Sequence, residues 1–148
     1  MTIRSYTPGD RDSCLALFDG NTPRFFAPRE RPSFAEWLEA PQGQFFVLCD
    51  DAGAVVGCGG VAVRPGSKTA YLTWGIIHAA KHRRGLGRTL TLERLRLIAA
   101  MPDVTAVALD TSQETVGFYE KLGFKMVKYT PDHYAPGLHR YDMELRVD

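Results

Sequence analysis

The run His82-Arg83-Arg84-Gly85-Leu86-Gly87-Arg88 is the part of this sequence best equipped to do chemistry. It follows an apolar stretch and opens a helical one. A helix start carries unpaired N–H groups and partial positive charge. Glycines let an anion approach that backbone without a Cβ in the way. Together they make a site for phosphate or diphosphate, and Arg83, Arg84 and Arg88 can add charge-assisted bonds. The plain alternative is a solvated basic turn ahead of a core helix. Two nucleotide motifs do not apply. Leu90 stands where GxGxxG needs its third glycine, and GxxxxGK[ST] is absent.

Other reactive side chains are less pointed. Cys14, Cys49 and Cys58 are odd in number and lack CxxC spacing, which fits a reducing compartment rather than a disulfide framework. Cys14 and Cys49 read as core, whereas Cys58, between glycines, is placed to face a cleft. His78 and His82 are four apart, as helical metal ligands are, but they fall in a loop, so no metal is expected. Glu30 and Asp110 are the carboxylates beside aromatic or strand-end positions.

These groups must be held by elements, and the apolar periodicity supplies them. Strands are expected over 3–6, 45–49, 55–63, 69–77, 104–109, 124–129 and 140–146. Helices are expected after Pro8, from a Ser33 cap through Phe34, Trp37 and Leu38, over 85–100, and after a Thr111–Glu114 capping box. Gly123 belongs in a left-handed C-cap. The proline-rich stretch 20–32 cannot be a regular helix throughout, and 130–139 reads as a polar, aromatic loop. The order implies an antiparallel meander followed by a parallel crossover. The fold class is α/β (α+β): a mixed, mostly antiparallel sheet of about seven strands with about four helices, in one domain over 1–148.

Bulk composition narrows the options. The chain has 148 residues, 45 % hydrophobic and 24 % charged, with a net charge of +1. That balance argues against a nucleic-acid partner. No apolar run reaches 18 residues and no secretory signal opens the chain, so a cytoplasmic protein with no membrane contact is expected.

The Gly85–Gly87 segment resembles the acetyl-CoA signature of the GNAT superfamily of N-acetyltransferases, with His82 where Gln or Arg is usual. Phe118-Tyr119-Glu120-Lys121-Leu122-Gly123-Phe124 is similar to that family's closing motif. The resemblance covers nearly the whole chain and is weakest before residue 44. It implies acetyl-CoA as cosubstrate, a primary amine of a small molecule or peptide as acceptor, and a possible homodimer. It implies diphosphate binding by the amides of Arg83, Arg84, Gly85, Leu86, Gly87, Arg88 and Thr89, and pantetheine binding by Ile76, Ile77 and His78. It implies that the Ile77 N–H polarises the thioester carbonyl and that Gly75 marks the bulge opening the cofactor gap. Ser112 stands where many members carry Asn at the cofactor. Tyr119 is the expected general acid.

For the base, Tyr71 occupies the strand position where many relatives carry Glu, with Thr73 on the same face. That leaves Glu30, Asp110 or a water chain. Phe25, Phe26, Arg29, Glu30 and Trp37, with Tyr71 and Thr73, form the expected acceptor wall, which core packing of the rings would explain equally. Arg29 or Arg31 is a candidate for an acceptor's carboxylate, and the segment bearing Asp132, His133, Tyr134, His139 and Tyr141 for the far wall. The other reading is an acetyl-CoA-binding sensor of the same fold without turnover.

Overall fold

The computed structural model describes residues 1–147. Seven strands form one sheet in the order β1-β2-β3-β4-β5-β7-β6. The strands are β1 (Thr2–Ser5), β2 (Gln44–Cys49), β3 (Val55–Val63), β4 (Thr69–Ile77), β5 (Ala106–Thr111), β6 (Lys125–Ala135) and β7 (Leu138–Arg146). The helices are α1 (Arg11–Gly20), α2 (Arg31–Glu39), α3 (Leu86–Ala99) and α4 (Val116–Lys121). Among the described residues only β4 and β5 pair in parallel, with α3 as their crossover.

Strand alternation sends neighbouring residues to opposite faces. Val47 joins a core with Cys14, Leu17, Phe18, Phe34 and Leu38 from α1 and α2. Leu48, the next residue, packs with Val56 and with Leu86 from α3. Ile76 and Ile77 divide the same way. A third cluster joins Ile98 of α3 to Val107, Phe124 and Met143. Phe18 and Phe34 stack at 5.7 Å with no exposure. Truncating either to Ala costs about 3–5 kcal/mol.

Four local expectations change. Ser33 does not cap α2, which begins at Arg31. The lead-in is a 3-10 turn, Pro28–Glu30, in which the Glu30 carboxylate accepts from Ala27 N at 2.8 Å. The Thr111–Glu114 capping box does not form. Thr111 ends β5, Glu114 pairs with Arg24 at 3.2 Å, and Ser112 Oγ accepts from Glu114 N at 3.2 Å. The fifth strand covers 106–111 rather than 104–109. The 130–139 segment is strand except for a tight turn at Pro136-Gly137, because β6 carries a register irregularity that absorbs its turn-like residues. Asp132 there has φ 53°.

The Gly123 cap forms as a Schellman motif. Phe124 N donates to Tyr119 O at 3.1 Å, Gly123 N donates to Glu120 O at 3.0 Å, and Gly123 has φ 99°. This pins the end of the short helix that carries Tyr119.

Candidate active site

The site exists because β4 leaves β5. Their pairing covers only Thr69–Ala106, Ala70–Val107 and Tyr71–Ala108. Beyond Tyr71 the strands part, and a bulge in β4 follows within the diverging stretch. Cys58 faces Ile76 and Gly60 faces Thr73, so Trp74 and Gly75 together stand opposite Gly59. Trp74 takes φ 41°, an uncommon conformation for a large side chain. The bulge thus spans Gly75, as expected, but its left-handed residue is Trp74.

Two cavities meet in this gap. The larger, about 1050 Å³, is walled by Phe25, Phe26, Arg29, Glu30, Tyr71 and Thr73 among others. The smaller, about 450 Å³, runs along Ile76, Ile77 and the start of α3. Phe25, Phe26, Gly75, Arg94 and Tyr119 belong to both.

The smaller cavity has the chemistry of an anion cradle. Gly85 precedes α3 with φ 78°, and Arg83 has φ 64°. Thr89 N donates to Gly85 O at 3.0 Å, so the first intrahelical bond is already made there. Leu86, Gly87 and Arg88, whose amides precede that bond, line the cavity. Thr89 itself is not on the wall, and its hydroxyl also donates to Gly85 O. Arg83, Gly85, Leu86, Gly87 and Arg88 line the cavity, whereas Arg84 does not.

Backbone polarity in β4 narrows the pantetheine candidates. His78 N donates to Val56 O at 2.8 Å, which makes Gly57 and Ile77 a non-bonded pair. The Ile77 N–H therefore turns away from β3, toward the gap, whereas Ile76 faces β3. The His78 amide is committed to β3, and its ring Nδ1 accepts from Ala80 N at 3.1 Å. His82 Nε2 lies 2.9 Å from Ile77 O, and Asn21 Nδ2 donates to that same oxygen at 3.0 Å. The His82 side chain thus ties the loop to the strand.

Tyr119 sits at the meeting point. Its ring packs edge-on against Phe118 and Phe124, at 5.0 and 5.7 Å. Its Oη lies 3.6 Å from where a Cβ on Gly75 would be. Ser112 lines the larger cavity, not the smaller, and its hydroxyl serves the turn before α4.

In the larger cavity, burial raises the Glu30 carboxyl above the usual carboxylate range. The Ala27 N–H opposes that shift, and Asp110 adds to it. Asp110 accepts from the Tyr134 hydroxyl and lies 3.8 Å from Arg140. Burial first, and Asp110 second, push the Tyr134 phenol upward. His133 and Tyr134 of the expected loop do wall this cavity, from the β6–β7 hairpin. Trp37 lines it too, while Phe26 stacks on Trp74 at 6.3 Å and so serves both core and wall. Arg29 donates to His133 O at 2.8 Å. Arg31 is held by Asp19 at 2.8 Å and does not line the cavity.

Cys58 does not face the cleft. It is fully buried, its thiol donates to Trp74 O at 3.6 Å, and burial pushes its pKa up, which leaves it no role as a nucleophile. Among the described residues no cluster of potential metal ligands occurs, and no helix is long and apolar enough to cross a membrane.

Sequence reasoning missed Arg94 and Asn21, and gave Phe118 a place in a motif but no role at the site. Arg94 carried a faint signal, since it interrupts the apolar stripe of Leu90 and Ile98 at helical spacing. Asn21 carried none, because its role depends on α1 ending beside β4.

This geometry, a splayed parallel pair with a helix N-terminus at its mouth, agrees with the comparisons. The acetyltransferase (GNAT) family profile matches residues 12–124, and the chain belongs to that family of enzymes. Among solved structures, an aminoglycoside 6'-N-acetyltransferase complexed with coenzyme A has TM-score 0.79 at 16 % identity, covering 100 % of this chain and 98 % of that one. A ribosomal-protein-alanine N-acetyltransferase from Brucella melitensis has TM-score 0.75 at 17 % identity, covering 99 % of each chain. A point mutant of spermidine N-acetyltransferase from Vibrio cholerae has TM-score 0.74 at 16 % identity, covering 99 % of this chain and 93 % of that one. Among curated proteins none matches the chain by sequence.

Proposed function

We propose that the protein moves an acetyl group from acetyl-CoA directly to a primary amine of a small molecule or peptide. One observation carries this reading: a cavity walled by the start of α3 and a carboxylate-bearing cavity share Gly75 and Tyr119 in their walls. Acetyl-CoA would enter the first, with its diphosphate on the amides of Leu86, Gly87 and Arg88 and its pantetheine along the unpaired edge of β4. The acceptor would enter the second. Holding both substrates in one gap supplies much of the rate through proximity.

The amine nitrogen attacks the thioester carbonyl carbon and forms the C–N bond. The carbonyl oxygen takes the negative charge and faces the Ile77 N–H. Glu30 accepts the proton that the amine nitrogen loses, directly or through water. Its burial favours a base that works closer to neutral pH than an ordinary carboxylate does. The C–S bond then breaks with its electron pair on sulfur. Tyr119 donates its phenolic proton to that thiolate and is reprotonated from solvent.

The test is thiol release from acetyl-CoA across amino acids, polyamines and peptides with free N-termini. Acceptor-dependent release, with one acetyl product per thiol, is expected. Acetyl-CoA binding with no release for any amine would instead establish the sensor reading.

A further inference from the structure

Arg94 has no structural reason to be an arginine. It lies on α3 at 1 % exposure, on the stripe that otherwise carries Leu90 and Ile98. Its two protein hydrogen bonds are long, 3.3 Å from Nη1 to Gly60 O and 3.4 Å from Nη2 to Thr91 Oγ1. Its Nε is buried without a partner. No carboxylate pairs with it among the described residues. A buried cation kept this way costs stability that an apolar side chain would not.

The strands make room for it at two glycines. A Cβ on Gly59 would lie 3.1 Å from Nη1, and one on Gly75 would lie 3.1 Å from Nη2. The second point is also 3.6 Å from Tyr119 Oη. Arg94 and Tyr119 thus converge on one spot where the two cavities join. Tyr119 from α4 and Cys58 from β3 are the titratable groups that face the guanidinium.

The guanidinium reaches back along α3 to Leu90 and Thr91 and lies at Gly59 and Gly75 beside Tyr119, whereas the neighbours of Gly87, where the diphosphate is placed, are Phe118 and Ile77. The negative charge that arises at the junction itself is the charge transferred during reaction. It appears first on the thioester oxygen and then on the departing sulfur.

We propose that Arg94 is a further residue of the transfer machinery, its buried guanidinium stabilising the coenzyme thiolate beside Tyr119 in the gap between β4 and β5. The inference rests on the acetyl-transfer reading. In the leaving step the C–S electron pair moves to sulfur, Arg94 stabilises that anion without giving up a proton, and Tyr119 then protonates it. The charge is fixed in place beforehand, so no reorganisation is needed when the thiolate forms.

The deciding experiment needs no acceptor. The thiol of CoA bound to the protein is titrated by thiolate ultraviolet absorbance, with the desulfo-CoA complex as the reference that cancels protein tyrosines and cysteines. In the wild type the bound thiol should titrate lower than in Arg94→Met by about one pH unit or more. Arg94→Lys should fall between them. Arg94→Met should melt no lower than the wild type and bind CoA within about threefold, yet lose about a hundredfold in kcat with any acceptor the wild type uses. A thiol titration unchanged in Arg94→Met would overturn the proposal. So would a variant that loses only acceptor KM, which would make Arg94 a binder of an acceptor anion. Failure of Arg94→Met to fold would make the guanidinium structural and overturn it equally. A normal thiol shift in a wild type that turns over no amine would refute the transferase reading while leaving Arg94 in its thiolate-stabilising place.

Discussion

Replacing Gly87 by Ala should strengthen the fold and weaken the cosubstrate in the same molecule. Gly87 is the second residue of α3, where glycine costs backbone entropy. An added Cβ meets nothing closer than Phe118 Cζ at 3.6 Å and Ile77 Cγ1 at 3.8 Å, which is ordinary contact. The protein therefore accepts the methyl, and helix propensity favours it by up to about 1 kcal/mol. Both neighbours are walls of the smaller cavity, so the methyl stands where the ligand approaches the amides. Losing or lengthening one charge-assisted hydrogen bond to a phosphate oxygen is worth about 1.5–3 kcal/mol. That corresponds to an increase of about 10- to 150-fold in the dissociation constant. Calorimetric titration with CoA gives the affinity, and thermal unfolding without ligand gives the stability. Gly85→Ala is the control with the opposite stability sign. Nothing crowds its Cβ, but φ is 78°, so it should lose about 1 kcal/mol of stability. A Gly87→Ala protein that binds CoA within twofold of the wild type would refute the placement of the diphosphate on this helix start.

Tyr119→Phe should lower kcat by at least about tenfold while leaving CoA affinity within about twofold, because only the proton donor is lost; equal rates in the thiol-release assay would remove Tyr119 from the mechanism. Glu30→Gln should remove the acid limb of the kcat/KM profile. In the wild type that limb should lie above the ordinary carboxylate range, because burial raises the carboxyl and only its ionised form accepts a proton; an unchanged profile would pass the base role to Asp110 or water. Asp10 accepts from Arg4 Nη1 and Nη2 at 2.8 and 2.9 Å and from Thr7 N at 2.9 Å, which holds its carboxyl down to about 2. A depressed folded pKa contributes stability above the unfolded value, near 3.8, and loses it as pH falls through about 2. Asp10→Asn should therefore cost about 1–3 kcal/mol at neutral pH, measured by urea unfolding, and the gap to the wild type should close between pH 4 and 2. A gap independent of pH would assign the loss to packing.

Features that depend on near neighbours in the chain were legible without coordinates. The start of α3 follows from glycines and arginines ahead of an apolar stripe. The Gly123 cap follows from a glycine after the last helical turn. The parallel step from β4 to β5 follows from a helix between two apolar runs. Where several local solutions compete, long-range contacts choose among them. Thr111 and Glu114 have capping-box spacing, but β5 keeps Thr111 and Arg24 takes Glu114. Residues 130–139 have turn composition, but β6 continues through Ala135 and β7 begins at Leu138, with pairing at Thr130–Arg140 and Ala135–Leu138 bracketing a register irregularity.

The amino-acid order alone determined the element sequence, the glycine- and arginine-flanked helix start and the phenol one turn before its cap, because each is set by periodicity or by residues within a few positions. Only the tertiary structure decided that β4 and β5 part after Tyr71, that Cys58 turns into the core, and that Arg94 comes to lie beside Tyr119 behind two glycines. These depend on which surfaces of distant segments pack together. Burial and charge at the junction are sums over contacts from β4, α3, α4 and the segment after α1, and no window along the chain contains them.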